Sequence, residues 1–177
     1  MEKQRIRSLI RQRKNKFTSE ELLSLSKTAT SSLFERIKEE ENCHTVLLYH
    51  SLPDEVNTHA LIKQLSSIGY KVLLPTVVGD NLELHEYVND QTLHTSESFG
   101  IQESSGPCFS DYTKIDIAII PGMAFTPNGR RLGRGKGYYD RMLPKLKCPL
   151  IGLAFPFQII DDMPCEPHDV SMNEVIC

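Results

Sequence analysis

The chain has 177 residues, 40% of them hydrophobic and 24% charged, with a formal net charge of −3. That length suits one folded domain over 1–177 with a substantial core. The net charge excludes binding to nucleic acid through the overall field, so any anion site must be local. The five cysteines form no C-x-x-C pair and the six histidines no H-x-x-x-H spacing. Spacing therefore argues against a disulfide framework and a zinc cluster, and a reducing cytoplasm is the expected location. No run of about 18 apolar residues is present, so no membrane span is expected.

Residues 2–15 read as a basic helix with a narrow stripe of Ile6, Leu9 and Ile10. This segment lacks the apolar centre of a secretory signal. "TSEE" supplies a capping box, Thr18 with Glu21, for a helix that carries Leu22, Leu25, Ala29, Leu33 and Ile37 inward and ends near Asn42. "TVLLYH" (45–50) reads as a buried strand and "SLPDEVN" as a loop. Thr58 is the expected cap of a helix bearing Leu61, Leu65 and Ile68 and closed by Gly69. "KVLLP" (71–75) is a strand stopped by Pro75, and "LELHEYV" (82–88) alternates like a strand with one wet face. Residues 89–114 are polar and mixed. "IDIAIIPG" (115–122) and "PLIGLAF" (149–155) are buried strands flanking a helix from about Lys136 to Leu146, and the tail is irregular. The strands alternate with helices and are continuously apolar. This predicts a three-layer α/β/α fold, Rossmann-like, with a mainly parallel, mixed sheet to which 82–88 adds antiparallel.

"GRRLGRGKGYYDR", Gly129 to Arg141, follows the strongest strand, where ligands bind in open parallel sheets. Gly133, Gly135 and Gly137 allow a tight turn and close approach to bare N–H groups, and Arg131, Arg134 and Lys136 add charge. The stretch is neither a P-loop, since Gly137 follows Lys136, nor a G-x-G-x-x-G fingerprint. It reads as an anion nest of another kind, against the alternative of a solvated basic turn. Asp140 reads either as a carboxylate complementing the helix start or as a magnesium ligand. Tyr138 and Tyr139 read first as packing residues.

"PGMAFTPNGRRLGRGKGYYD" closely resembles the signature of the 5-formyltetrahydrofolate cyclo-ligase family. "EKQRIR", "SLPDEVNT", "FGIQE" and "HDVSMNEVI" resemble that family's N-terminal, substrate-loop, central and C-terminal metal-binding segments, in order. The resemblance implies a ligase that uses ATP and Mg2+ to convert 5-formyltetrahydrofolate to 5,10-methenyltetrahydrofolate, through phosphorylation of the formyl oxygen. It implies nucleotide contacts at Lys3, Gln4, Arg5, Ile6 and Arg7, chiefly Lys3 and Arg7, with Arg5, Arg11 and Arg13 also readable as a solvated basic face. It implies a triphosphate loop formed by Arg131, Leu132, Gly133, Arg134, Gly135, Lys136, Gly137, Tyr138 and Tyr139. Arg134, Lys136 and Tyr138 are the implied catalytic residues and also meet the folate, with His50 and Glu55. Asp140 and Asp169 are the implied magnesium pair. A monomer without nucleic-acid or membrane partners is expected. Asn57, Ser104, Thr126 and Asn173 depart from the family's usual residues. A competing reading is a nucleotide- or RNA-binding module whose basic loop grips phosphate without turnover.

Overall fold

The computed structural model describes residues 2–96, 102–167 and 169–177. Two helices, α1 (Glu2–Lys14) and α2 (Ser19–Glu39), precede the strand β1 (Thr45–Leu47). Helix α3 (His59–Ser67) leads into a long hairpin of β2 (Lys71–Val78) and β3 (Asn81–Glu86). Short strands follow: β4 (Leu93–Thr95), β5 (Gln102–Ser104) and β6 (Cys108–Phe109). Then come β7 (Ile117–Ile120), the ribbon β8 (Ala124–Phe125) with β9 (Arg131–Leu132), α4 (Tyr138–Met142), β10 (Leu150–Leu153) and β11 (Glu174–Ile176). No helix of the described residues is long and apolar enough to cross a membrane.

The central sheet runs β11-β10-β7-β1-β2-β3-β6. Its first five strands are parallel, and β3 and β6 extend it antiparallel. The fold is thus mixed α/β with Rossmann-like layers. In β1, β7 and β10 every residue is buried, because both faces of the sheet are covered. Val46, Leu48, Ile117 and Ile119 face α2 and α3; Leu47, Ala118 and Ile120 face α4 on the other side. Each fully buried Leu or Ile contributes about 1.5–3 kcal/mol.

Local signals explain most of these elements. Thr18 Oγ1 accepts from Glu21 N at 3.2 Å and Glu21 Oε2 accepts from Thr18 N at 2.7 Å, the predicted capping box. Ala29, Leu33 and Ile37 form the buried stripe of α2 at i, i+4 and i+8. Gly69, at φ +97°, closes α3 with Tyr70 N donating to Leu65 O at 3.1 Å.

Other expectations are corrected. Helix α2 stops at Glu39, before Asn42, and the tail, predicted irregular, contributes β11. Pro75 does not stop β2: the strand continues to Val78 and Pro75 pairs with Leu84. Tyr87 N donates to Val72 O and Glu86 N to Pro107 O, so the alternation turns the nitrogen of residue 75 away from β3. On that side the pairing with β1 stops at Leu48 N, which donates to Leu73 O, so the missing N–H of Pro75 falls where the ladder ends. Thr58 is not a side-chain cap. Its buried hydroxyl donates to Tyr49 O at 2.5 Å and accepts from Ser51 N at 3.2 Å, while Asn57 Oδ1 accepts from His59 N at 3.0 Å. The helix predicted over 136–146 is shorter: α4 begins after Gly137 and tightens to a 3₁₀ turn at Leu143–Lys145.

Candidate functional site

The carboxyl ends of β1 and β7, the β2–β3 hairpin, β5 and the glycine stretch enclose a cavity of about 320 Å³. Tyr49 and His50 enter it just beyond β1, Pro121 and Gly122 just beyond β7, and Val77 and Leu82 wall it from the hairpin. Gly133 to Asp140 line the opposite side. This is the place where an open parallel sheet binds ligands.

The glycine stretch crosses this mouth as irregular backbone. Gly135 and Gly137 have φ of +99° and +74°, a region that L side chains rarely adopt. Among the described residues no acceptor is found for the backbone N–H groups of Gly133 to Gly137. Those bare donors, in a turn before a helix, have the makings of an anion nest. Helix α1 braces the turn: Arg7 Nε donates to Gly133 O at 2.9 Å, and Gln4 Oε1 accepts from Arg7 at 3.2 Å.

The three cations of the stretch occupy different electrostatic positions. Arg131, only 5% exposed, donates to Asp140 Oδ1 at 2.5 Å and to Pro121 O at 3.1 Å, and lies over the Tyr139 ring. Burial lowers its pKa, opposed by the charges of Asp140 and Asp169. Arg134 donates to Asp54 Oδ1 at 2.5 Å and to Glu55 Oε1 at 3.0 Å. Lys136 is exposed and lines the cavity, and its ammonium has no hydrogen-bond or ion-pair partner among the described residues. The arginines are neutralised in place; the lysine is a free charge.

Across the cavity, Glu55 is the more buried of Arg134's two acids. Burial pushes its carboxyl up, against the Leu52 N–H and the guanidinium, which hold it down. For Asp54 burial acts in the same direction, but the hydrogen bond and charge of Arg134 outweigh it and its pKa falls. His50 is pushed down to about 4 by burial and by His59, whose ring stacks on it at 3.8 Å. It is therefore uncharged at neutral pH.

The 5-formyltetrahydrofolate cyclo-ligase family model matches residues 1–177. A 5-formyltetrahydrofolate cyclo-ligase of Mycolicibacterium smegmatis is 33% identical over 75% of this chain and 72% of its own. The chain belongs to the 5-formyltetrahydrofolate cyclo-ligase family. The Escherichia coli K12 cyclo-ligase is 27% identical over 95% of this chain and 96% of its own. The NMR structure of an Aquifex aeolicus 5,10-methenyltetrahydrofolate synthetase superposes with a TM-score of 0.85 at 27% identity, covering 98% of this chain and 88% of that one. A Mycoplasma pneumoniae 5,10-methenyltetrahydrofolate synthetase gives 0.81 at 26%, covering 99% and 98%.

Against this cyclo-ligase family, the predicted residues divide by position. His50, Glu55, Arg131, Gly133 to Tyr139 and Asp140 all line one cavity. Leu132 does not: its side chain is buried with Ile10, Met123 and Ala124 under α1. Ile6 packs on the same cluster, and Arg5 is exposed on the outer side of α1. Lys3 is held by Glu166 at 3.1 Å and Asp169 at 3.4 Å rather than at the glycine stretch. Asp140 lines the cavity and pairs with Arg131, whereas Asp169 is held by Lys3 and is not among the residues that line it. The Asp140 carboxylate beside the bare N–H groups is of the kind that magnesium takes, one or two protein carboxylates plus phosphate oxygens. Phe99, Gly100 and Ile101 of "FGIQE" lie outside the described residues, as does His168.

The departures from the family pattern have structural partners. Asn57 caps α3. Ser104 Oγ donates to Glu86 O at 2.8 Å, buried Thr126 Oγ1 accepts from Arg130 N at 3.1 Å, and Asn173 Oδ1 accepts from Leu150 N at 2.8 Å.

Sequence reasoning missed Tyr49. Its ring is 3% exposed, it lines the cavity, and its hydroxyl is buried without a hydrogen-bond partner among the described residues. Burial and then the nearby Glu55 charge raise its pKa well above that of a free tyrosine, so the hydroxyl remains a donor. In the sequence it is one more β-former in an apolar run. Asp54 was missed for another reason: its partner Arg134 lies 80 residues along the chain.

Proposed function

We infer that the protein, acting as one domain over 1–177, uses ATP and Mg2+ to convert 5-formyltetrahydrofolate to 5,10-methenyltetrahydrofolate, releasing ADP and phosphate. The observation that carries this reading is the Lys136 ammonium and the loop N–H groups around it, without partners among the described residues, facing a cavity whose other wall holds buried Glu55 and Tyr49.

The formyl oxygen on N5 is a poor leaving group. Transfer of the γ-phosphoryl group from ATP to that oxygen converts it to a phosphate ester, and N10 then closes on the same carbon as phosphate departs. The loop N–H groups from 133 to 137 hold the triphosphate, and Lys136 neutralises charge on the moving phosphoryl group. Arg134, clamped by Asp54 and Glu55, ties the nucleotide wall to the folate wall and orients both. Glu55 and the Tyr49 hydroxyl meet the polar edge of the pterin, with neutral His50 beside it. Tyr138 borders the reacting centre. Arg7 sets the loop backbone by holding Gly133 O. Asp140 and Asp169 would hold the magnesium ion, which when bound supplies positive charge to the phosphate oxygens. A monomer in the cytoplasm, without nucleic-acid or membrane partners, completes this reading.

The reading is tested by adding ATP, Mg2+ and 5-formyltetrahydrofolate to the purified protein. The near-ultraviolet band of the methenyl product should grow in a one-to-one ratio with ADP. ATP hydrolysis that proceeds equally without the folate would refute it.

A further inference from the structure

On the antiparallel edge of the sheet, remote in sequence from the glycine stretch, Glu83, His85 and Cys108 bring one ligand atom each within 4.8 Å of one another. No sequence spacing reveals this group. Glu83 and His85 stand two apart on one face of β3, and the β3–β6 register pairs His85 with Cys108 across the strands. Leu82 and Leu84 point to the opposite face, toward the core that borders the cavity.

The group has a feature beyond proximity. His85 Nδ1 lies 2.9 Å from Gly106 O. A carbonyl oxygen only accepts, so Nδ1 carries a proton, and in the neutral ring Nε2, 3.8 Å from Glu83 Oε2, presents its lone pair. A histidine oriented through its second nitrogen by a backbone carbonyl is the usual arrangement around a bound metal. That carbonyl is itself fixed. A Cβ on residue 106 would stand 2.0 Å from Glu86 O, so only glycine fits the turn. Gly106 N donates to Ser104 Oγ at 3.1 Å, which in turn donates to Glu86 O at 2.8 Å. Cys108 and Glu83 are exposed, so an ion reaches them without opening the fold.

We propose that Glu83, His85 and Cys108 form a zinc site with three protein ligands and a water at the fourth position. Imidazole, thiolate and carboxylate together select zinc over magnesium, whose hard character disfavours sulfur. Binding releases the thiol proton and forms a zinc–sulfur bond, with no change of oxidation state. The ion ties β6, joined to β3 by only two residue pairs, to the sheet. The site is independent of the reading of the cavity.

The test uses the full chain, stripped of metal with a chelator and titrated with Zn2+ alone, with Co2+ as the spectroscopic probe. One equivalent of Zn2+ should bind with proton release and raise the melting temperature. Co2+ should give a near-ultraviolet thiolate charge-transfer band. Cys108→Ser and His85→Ala should each weaken binding by about tenfold or more, scaled from the effect of outer partners alone, and Cys108→Ser should abolish the band. Asp140→Asn should leave both unchanged. Exposed Cys108 tolerates serine, and circular dichroism checks the fold of both variants. Absence of saturable Zn2+ binding, or equal affinity in the Cys108→Ser and His85→Ala proteins, would overturn the proposal.

Discussion

Replacing Lys136 with alanine should lower kcat by about 10²- to 10³-fold, the range for removing one donor or cation that stabilises transition-state charge. The expectation rests on a contrast within one loop. Arg131 and Arg134 each already meet a carboxylate, whereas the Lys136 ammonium, at the cavity, has no partner among the described residues. A cation with no internal partner changes its interaction energy most when a phosphoryl group arrives. The same lack of partners makes the substitution mild for the fold: exposed positions away from caps and cores usually shift stability by less than about 0.5 kcal/mol. Thermal melting and steady-state kinetics on the same sample separate the two effects. Near-normal turnover in the variant would remove Lys136 from phosphoryl transfer.

Tyr49→Phe should show the opposite balance, with stability kept and affinity lost. Burying a hydroxyl without a partner costs about 1–3 kcal/mol, so removing it should leave the ligand-free protein as stable as before or slightly more so. If that hydroxyl donates to the pterin, its loss should raise KM for 5-formyltetrahydrofolate by about 5- to 100-fold. KM for ATP should barely move, since the proposed nucleotide wall lies opposite. A lower melting temperature with unchanged folate KM would mean that the hydroxyl serves the fold instead.

These two residues differ in how far the sequence reveals them. Lys136 stands in a local pattern of alternating glycines and cations whose only economical use is an exposed, charged turn, so its place was legible without coordinates. Tyr49 was not, because "TVLLYH" reads as a buried strand whichever way its tyrosine points. The bond that positions it, Thr58 Oγ1 to Tyr49 O, joins two elements by a residue predicted to do something else. The same distinction holds for the fold. Continuous apolar strands implied a covered, mainly parallel sheet, and the alternation of 82–88 implied its antiparallel addition. Pro75 misled because a strand-breaker is judged by its local effect, whereas its tolerance depends on a neighbour, β1, that ends two residues earlier in register. Gly137 was placed inside a helix although its positive φ makes it the residue before one. The Glu83, His85 and Cys108 group escapes any reading by spacing, since only strand pairing assembles it.

The central claim is that the γ-phosphoryl group goes to the formyl oxygen, which then leaves as part of the phosphate. The direct measurement is the reaction of 5-formyltetrahydrofolate labelled with oxygen-18 in its formyl group, with mass analysis of the phosphate released. The account expects one labelled oxygen in each phosphate formed, none in ADP and none in the methenyl product. Phosphate free of label, with the heavy oxygen recovered in water, would contradict it.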